Sequence, residues 1–346
     1  MNDKAIKKAT NGSFDLLKFV LSIFVVAIHS SLLPNVVYPW VRLAVPLFFI
    51  LTSYFFFGKV FKMDDKTEKL KALRGFISRN LILYLFWFVA LLPITLYIRR
   101  YFNAGIIDGI VQLVKGFFFG STFVASWYIM ASIIGTVIIF FASKKFGNKT
   151  LLAITSVIYL MVCVRSAYWS LLEDVSWIES VREGYESIFT SPANSFPVSL
   201  FWICLGKCFA EGTFDFKFKS IKLAVLIIAS AVLLYAEWLL VKHICGSVNK
   251  DCYIFLAPLA VLIFTAIKNA KPLEIKWSRE LRFSSTIIYA SHGSVLTVVT
   301  IALTKILGSA PKGLLFLMIL FACLAISAVI MFLEKKKIFK WLKYSH

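Results

Sequence analysis

Three ionisable side chains interrupt one apolar stretch near the start of the chain, FDLLKFVLSIFVVAIHS, residues 14–30. They are Asp15, Lys18 and His29. An α-helix turns about 100° per residue, so the 11 positions from Lys18 to His29 return both to one face. Asp15, three positions before Lys18, joins that face, and Ser22 lies near it. The stripe rises about 16 Å from Lys18 to His29. Charge is expensive in hydrocarbon, so such a stripe belongs in a bundle interior or a wet cavity, where it can relay protons or hold a charged ligand. The blander alternative has Lys18 snorkelling to an interface with Asp15 as its partner, and His29 bonding a neighbouring helix.

Two further constellations could meet this stripe. In VRLAVPLFFILTSYFFFG, residues 41–58, Arg42 stands at the outer end of a second apolar run. The short connection 34–40 brings it near His29. Pro46 opens or kinks that helix and frees backbone carbonyls, and Thr52, Ser53 and Tyr54 form a polar patch lower down. In IIYASHGSVL, residues 287–296, His292 lies near mid-membrane with Tyr289, Ser291 and Ser294 around it. It is either a packing histidine or part of a site. Trp127 and Tyr128 open a later run and suit an aromatic belt equally well. Glu237, in LLYAEWLLV, is a buried acid that could pair with His29 or Arg42.

The elements that must carry these residues follow from composition. The 346 residues are 60% hydrophobic and only 16% charged, with a mean hydropathy of +0.82. Soluble domains run nearer 25% charged, so an all-α, polytopic integral membrane protein is expected. About ten apolar runs can be counted, near 14–33, 41–58, 80–98, 125–142, 150–167, 196–210, 220–241, 253–267, 285–305 and 313–333. The Gly-interrupted, half-polar segment 106–124 reads as an interfacial helix. Lys4, Lys7 and Lys8 precede the first run as in a signal peptide, but no small-x-small cleavage site follows, so a retained first helix is expected.

The net charge of +20 is chiefly a topology signal. With both termini cytoplasmic and ten spans, 27 of the 38 Lys and Arg fall inside and 10 outside, with Lys18 within a span. Nucleic acid is therefore not an expected partner. The expected organisation is one transmembrane domain, 1–346, without a separate soluble domain. The long outer loop 168–195, rich in Glu and Trp, either covers a site or merely joins two helices. Cys245 and Cys252 share an outer loop and could form a disulfide in an oxidising compartment. The four histidines are too scattered to point to a metal.

Together these residues resemble the acyltransferase 3 family of integral-membrane O-acyltransferases. Its first-helix pattern, a basic residue, ten positions and then His, is met by Lys18 and His29, with Asp15 as the preceding acid. Arg42, Val45, Pro46, Leu47, Phe48 and Phe49 look like its second-helix motif. The Ser-Gly-Tyr that usually follows stands here as Thr52-Ser53-Tyr54, without the glycine. Trp127-Tyr128 and Tyr289-x-x-His292 look like its later motifs. The length and the ten-span layout resemble a stand-alone member.

The resemblance implies transfer of an acyl group, usually acetyl, from cytoplasmic acyl-CoA to a hydroxyl of a cell-envelope glycan, polysaccharide or glycolipid precursor. Acyl-CoA would be a co-substrate, with no bound cofactor. Lys18, with Asp15, would meet CoA phosphates. His29 would act as general base or transient acyl carrier, and Arg42 would stabilise the oxyanion or orient the acceptor. Membrane lipid surrounds the chain, and the expected location is the cell (cytoplasmic or inner) membrane. Two other readings compete. One is a proton-coupled or substrate transporter using the Asp/Lys/His stripe, although no repeat symmetry supports it. The other is a non-catalytic scaffold.

Overall fold

Apolar runs that lack interior Gly or Pro satisfy their own backbone groups only as helices when water is absent. The computed structural model describes residues 12–33, 35–103, 105–246 and 250–346, so the expected basic tail with Lys4, Lys7 and Lys8 lies outside them. Thirteen α-helices follow in order among the described residues: α1 Gly12–His29, α2 Tyr38–Val41, α3 Ala44–Val60, α4 Lys66–Arg99, α5 Ile106–Phe119, α6 Trp127–Ala142 and α7 Asn148–Ser166, then α8 Ser176–Ile188, α9 Phe196–Ala210, α10 Ser220–Cys245, α11 Leu256–Asn269, α12 Ser278–Leu307 and α13 Lys312–Glu334. A 3₁₀ segment, Lys337–Ser345, follows α13. No strand occurs among the described residues.

Each expected run falls largely within one helix, with 41–58 starting at the end of α2 and 80–98 forming the second half of α4. By length and composition, seven spans could cross a membrane: α1, α2 with α3, α4, α7, α10, α12 and α13. The α8 region and α9 form an eighth when taken as one span bent by 41°, and α6 and α11 are shorter apolar helices. The segment expected to be interfacial is α5, which turns Ile106, Ile107, Ile110, Val111 and Val114 outward. The run 80–98 was expected to be a span of its own, preceded by a basic stretch rich in Lys and Arg. From Lys66 onward they form one 34-residue helix, because nothing breaks the backbone before Pro93. Asp65 caps it by accepting a hydrogen bond from the Glu68 amide at 2.9 Å.

Helix α9 is the hub, buried along nearly its whole length and packed on α3, α6 and α7. Small residues allow this closeness. A Cβ on Gly206 would lie 1.9 Å from the Ser53 Oγ and 2.4 Å from the Ile50 carbonyl. A Cβ on Gly135 of α6 would lie 2.3 Å from the Ser199 Oγ. The glycine missing from Thr52-Ser53-Tyr54 thus has a counterpart across the interface: Ser53 folds its hydroxyl back onto the Phe49 and Ile50 carbonyls, and Gly206 supplies the space.

Helices α1 and α12 run parallel and in register. The Ser278 hydroxyl donates to Asp15 at 2.6 Å, and the His29 and His292 rings stand 5.0 Å apart. Each helix advances 14 residues between those two contacts, about 21 Å of rise. This register sets one histidine against the other at the far end of the stripe.

Candidate active site

The stripe spans two chambers. The larger is a cavity of about 860 Å³ whose walls include His29, Arg42, Trp127, Asp251 and Tyr289. His29, the last residue of α1, is exposed into it. The smaller chamber, of about 140 Å³, is lined by Lys18, Thr52, Tyr128 and Tyr289. Tyr289 borders both.

The partition between them is aromatic. Tyr128 and Tyr289 pack edge to face at 5.4 Å, and Phe48 stands 6.0 and 5.9 Å from them. Polar tips fix the rings: Tyr128 shares a 3.0 Å hydrogen bond with Thr52, and Tyr289 donates to the Ala125 carbonyl at 2.5 Å. Ala125 has a φ of +65°, an uncommon value for a residue with a side chain, in the tight segment that joins α5 to α6. That segment is tied by the Thr122–Tyr84 bond at 2.8 Å and by the Ser126 hydroxyl on the Thr122 amide at 3.0 Å. It lies so close to α12 that a Cβ on Gly293 would stand 2.1 Å from Val124. Glycine beside His292 is therefore a packing necessity.

Arg42 reaches the cavity from the turn between α2 and α3. Its Nη1 is 2.6 Å from Asp251 Oδ1, and its guanidinium lies over the Tyr38 ring at 4.3 Å. Asn194 donates to the other oxygen of Asp251 at 3.1 Å. The loop 168–195 does cover the site: Thr190, Ser191 and Asn194 are in the cavity wall, and Lys115 of α5 donates to the Glu186 and Ser187 carbonyls. An ionic cluster holds α8 in place. Arg165 pairs with Glu186 at 2.7 Å, and Arg182 pairs with Glu179 and with Glu186. Hydrogen bonding from Arg182 lowers the Glu179 carboxyl below its usual value, and the same contact raises the guanidinium.

The candidate residues thus divide. His29, Arg42, Trp127 and Tyr289 share the larger cavity; Lys18, Tyr128 and Tyr289 share the smaller one. His292 sits behind His29, 1% exposed. Asp15 does not bond Lys18 directly as sketched from sequence: it takes the Ser278 hydroxyl and faces Arg282 at 3.9 Å, while Lys18 Nζ lies over the Phe55 ring at 5.3 Å. Tyr54 packs among Phe14, Phe55 and Phe264 outside both chambers. Glu237 was sketched as a partner for His29 or Arg42. It instead accepts from Tyr168 at 2.6 Å and from the Ile254 and Phe255 amides at 2.6 and 2.8 Å, which ties α10 to the start of α11. Cys245 and Cys252 are free thiols, and 247–249 between them lie outside the described residues.

Asp251, Asn194, Lys115 and Arg282 were not singled out from sequence. Arg282 entered only through the count of basic residues expected inside, and Asp251 was not considered. An acid in an outer loop, in a chain with an outer arginine to satisfy, was the available signal.

A helical membrane protein with a polar stripe leading from a small basic pocket to a histidine-bearing cavity is the class defined by this geometry. The chain belongs to the acyltransferase 3 family, whose acyltransferase-domain profile matches residues 11–333. Two amino-acid racemases of Enterococcus faecalis are also similar. One is 24% identical over 353 residues, covering 96% of this chain and 47% of the racemase. The other is 22% identical over 273 residues, covering 75% of this chain and 36% of the racemase. The chain thus spans less than half the length of these curated relatives. No solved structure matches it.

Proposed function

We propose that the chain transfers an acyl group, acetyl in the first instance, from cytoplasmic acyl-CoA to a hydroxyl of an envelope glycan or glycolipid precursor, in the cell membrane. The observation that carries this is the placement of Lys18 and His29 in adjoining chambers with Tyr289 between them. In this reading the chain crosses the membrane ten times with both ends cytoplasmic. The Lys and Arg distribution supports that, as does the parallel run of α1 and α12, which as first and ninth crossings must point the same way.

CoA phosphates then bind at the inner chamber near Lys18 and Arg282, where cations are available. The thioester arm passes the Tyr128–Tyr289 partition. In the outer cavity His29 takes the proton of the acceptor hydroxyl, whose oxygen bonds the acyl carbon. The negative charge that gathers on the carbonyl oxygen falls to Arg42, whose buried Nε has no hydrogen-bond partner among the described residues. The carbon–sulfur bond breaks, and the thiolate leaves as free CoA with the proton that His29 took, which restores the base. The racemase name describes proteins of which this chain matches less than half, whereas the acyltransferase domain matches nearly all of this chain, so acyl transfer is preferred.

Membranes bearing the wild-type protein or His29→Ala, given acetyl-labelled acetyl-CoA with host envelope lipids and glycans, test the reading. Label entering an envelope fraction with wild type alone supports it. No transfer by either, across several acyl-CoA donors, overturns it.

A further inference from the structure

His292 is buried behind His29, and its hydrogen bonds fix which nitrogen carries its proton. Its Nδ1 lies 2.7 Å from the Tyr289 carbonyl and 3.2 Å from the Ile288 carbonyl. Carbonyl oxygens only accept, so Nδ1 must donate. A neutral imidazole has one N–H, so Nε2 is left with a lone pair. That Nε2 is fully buried and has no hydrogen-bond partner among the described residues. A buried acceptor without a donor is costly, and such an atom calls for an explanation.

The ring beside it supplies one. The His29 and His292 centroids are 5.0 Å apart with the planes tilted by 41°. Two imidazoles joined edge to edge stand about 5 Å apart, a hydrogen bond of about 3 Å plus about 1 Å of ring on each side. A small turn of the His29 ring, which has open cavity on its other side, aims an N–H at His292 Nε2.

We propose that His292 is a positioning residue that accepts a hydrogen bond from His29, fixes its tautomer and leaves the remaining nitrogen of His29 as a lone pair facing the cavity. The backbone of α12 thereby dictates, through one buried imidazole, which nitrogen of another is basic. Metal-binding and catalytic histidines are commonly oriented in this way by a carbonyl or carboxylate. Here the orienting group is a second histidine. No proton is transferred to His292 in this scheme, and no bond other than the hydrogen bond forms.

The inference rests on the acyl-transfer reading only for its kinetic arm. His292→Leu keeps similar volume without an acceptor, and His292→Gln restores an amide oxygen that can accept. His292→Leu is expected to lower kcat about 10²-fold, the scale of a misplaced catalytic group, with KM for acyl-CoA within about twofold. His292→Gln is expected to recover most of the loss, which a purely packing role would not give. A second arm needs no turnover. Nitrogen-15 NMR of histidine-labelled protein in detergent, with His243→Gln and His346→Gln to leave two imidazoles, reads the tautomer of His29. The expected result is one tautomer with His292 present and a mixture in His292→Leu. An unchanged tautomer population in the folded Leu variant, or in the Gln and Leu variants alike, overturns the proposal even if acyl transfer stands. Absence of acyl transfer in all proteins would sink the functional reading and leave the NMR result to judge the histidine pair.

Discussion

Arg42 Nη1 lies 2.6 Å from Asp251 Oδ1, so the start of α3 is tied to the loop before α11 across the mouth of the cavity. The pair is 18% and 34% exposed, and solvent weakens such contacts, so geometry outweighs energy here. Asp251→Asn is expected to lower kcat/KM for the acceptor about tenfold by letting the guanidinium drift. Arg42→Lys should do at least as much, since an ammonium cannot both stack on Tyr38 and pair with Asp251. Steady-state rates at saturating acyl-CoA check both.

Lys18 and His29 occupy different chambers, and their losses should divide accordingly. Lys18→Gln is expected to raise KM for acyl-CoA about tenfold, with a small change in kcat, and Lys18→Arg should restore it. His29→Ala is expected to cut kcat by about 10² to 10⁴ with binding intact. Equal effects on both parameters from Lys18→Gln would sink the division of labour.

The interface of α3 with α9 is closed by Gly206 against Ser53. Gly206→Val forces the helices apart and is expected to cost about 1–3 kcal/mol, the usual range for overpacking. Ser53→Gly added to Gly206→Ala should not restore the stability lost by Gly206→Ala alone, because the Ile50 carbonyl still lies 2.4 Å from the added Cβ. Thermal unfolding in detergent measures both.

The stripe on α1 was legible because a helical period needs only one segment. The fold class was legible because apolar runs in lipid have one solution. The two chambers were not legible, because their walls draw on most of the helices, among them α1, α3, α4, α5, α6, α9 and α12, and on the loops, and no period connects those. Helix α4 hid its full length because basic residues marked an expected loop, although nothing between Lys66 and Pro93 breaks a helix. Asp251 and Asn194 sit in irregular segments where partner choice is purely tertiary. The histidine pair needed the register of α12 on α1, which a single sequence does not display.

Cys252 is 4% exposed, and burial holds its thiol well above the ordinary value, whereas Cys245 is half-buried. A thiol reacts as thiolate. Maleimide at neutral pH is expected to label Cys245 at least tenfold faster than Cys252, read by peptide mass. If both resist labelling until a reductant is added, the two are bridged and the free-thiol arrangement is wrong.

The cap formed by α8 should loosen in acid. Glu179 is bonded to Arg182, and its folded-state pKa is lowered from 4.5. Its contribution is therefore fully present above pH 4.5 and fades as pH falls through the lower folded value. Hydrogen exchange of 176–188, corrected for intrinsic rates, is expected to match at pH 7 and pH 5 and to speed up only once the pH has fallen below 4.5. Arg182→Gln should show the faster exchange already at pH 7.

The parallel register of α1 and α12 also acts as a ruler. The two ends of the stripe are held about 16 Å apart by two rigid rods pinned to each other. In the proposed reaction, a donor whose acyl group sits directly on its anionic handle can anchor near Lys18 or reach His29, never both. Only a donor with a long, thin tether between handle and cargo satisfies both ends at once. If the chain transfers acyl groups as proposed, chain length of the donor, rather than the chemistry of its thioester, is the first property it selects.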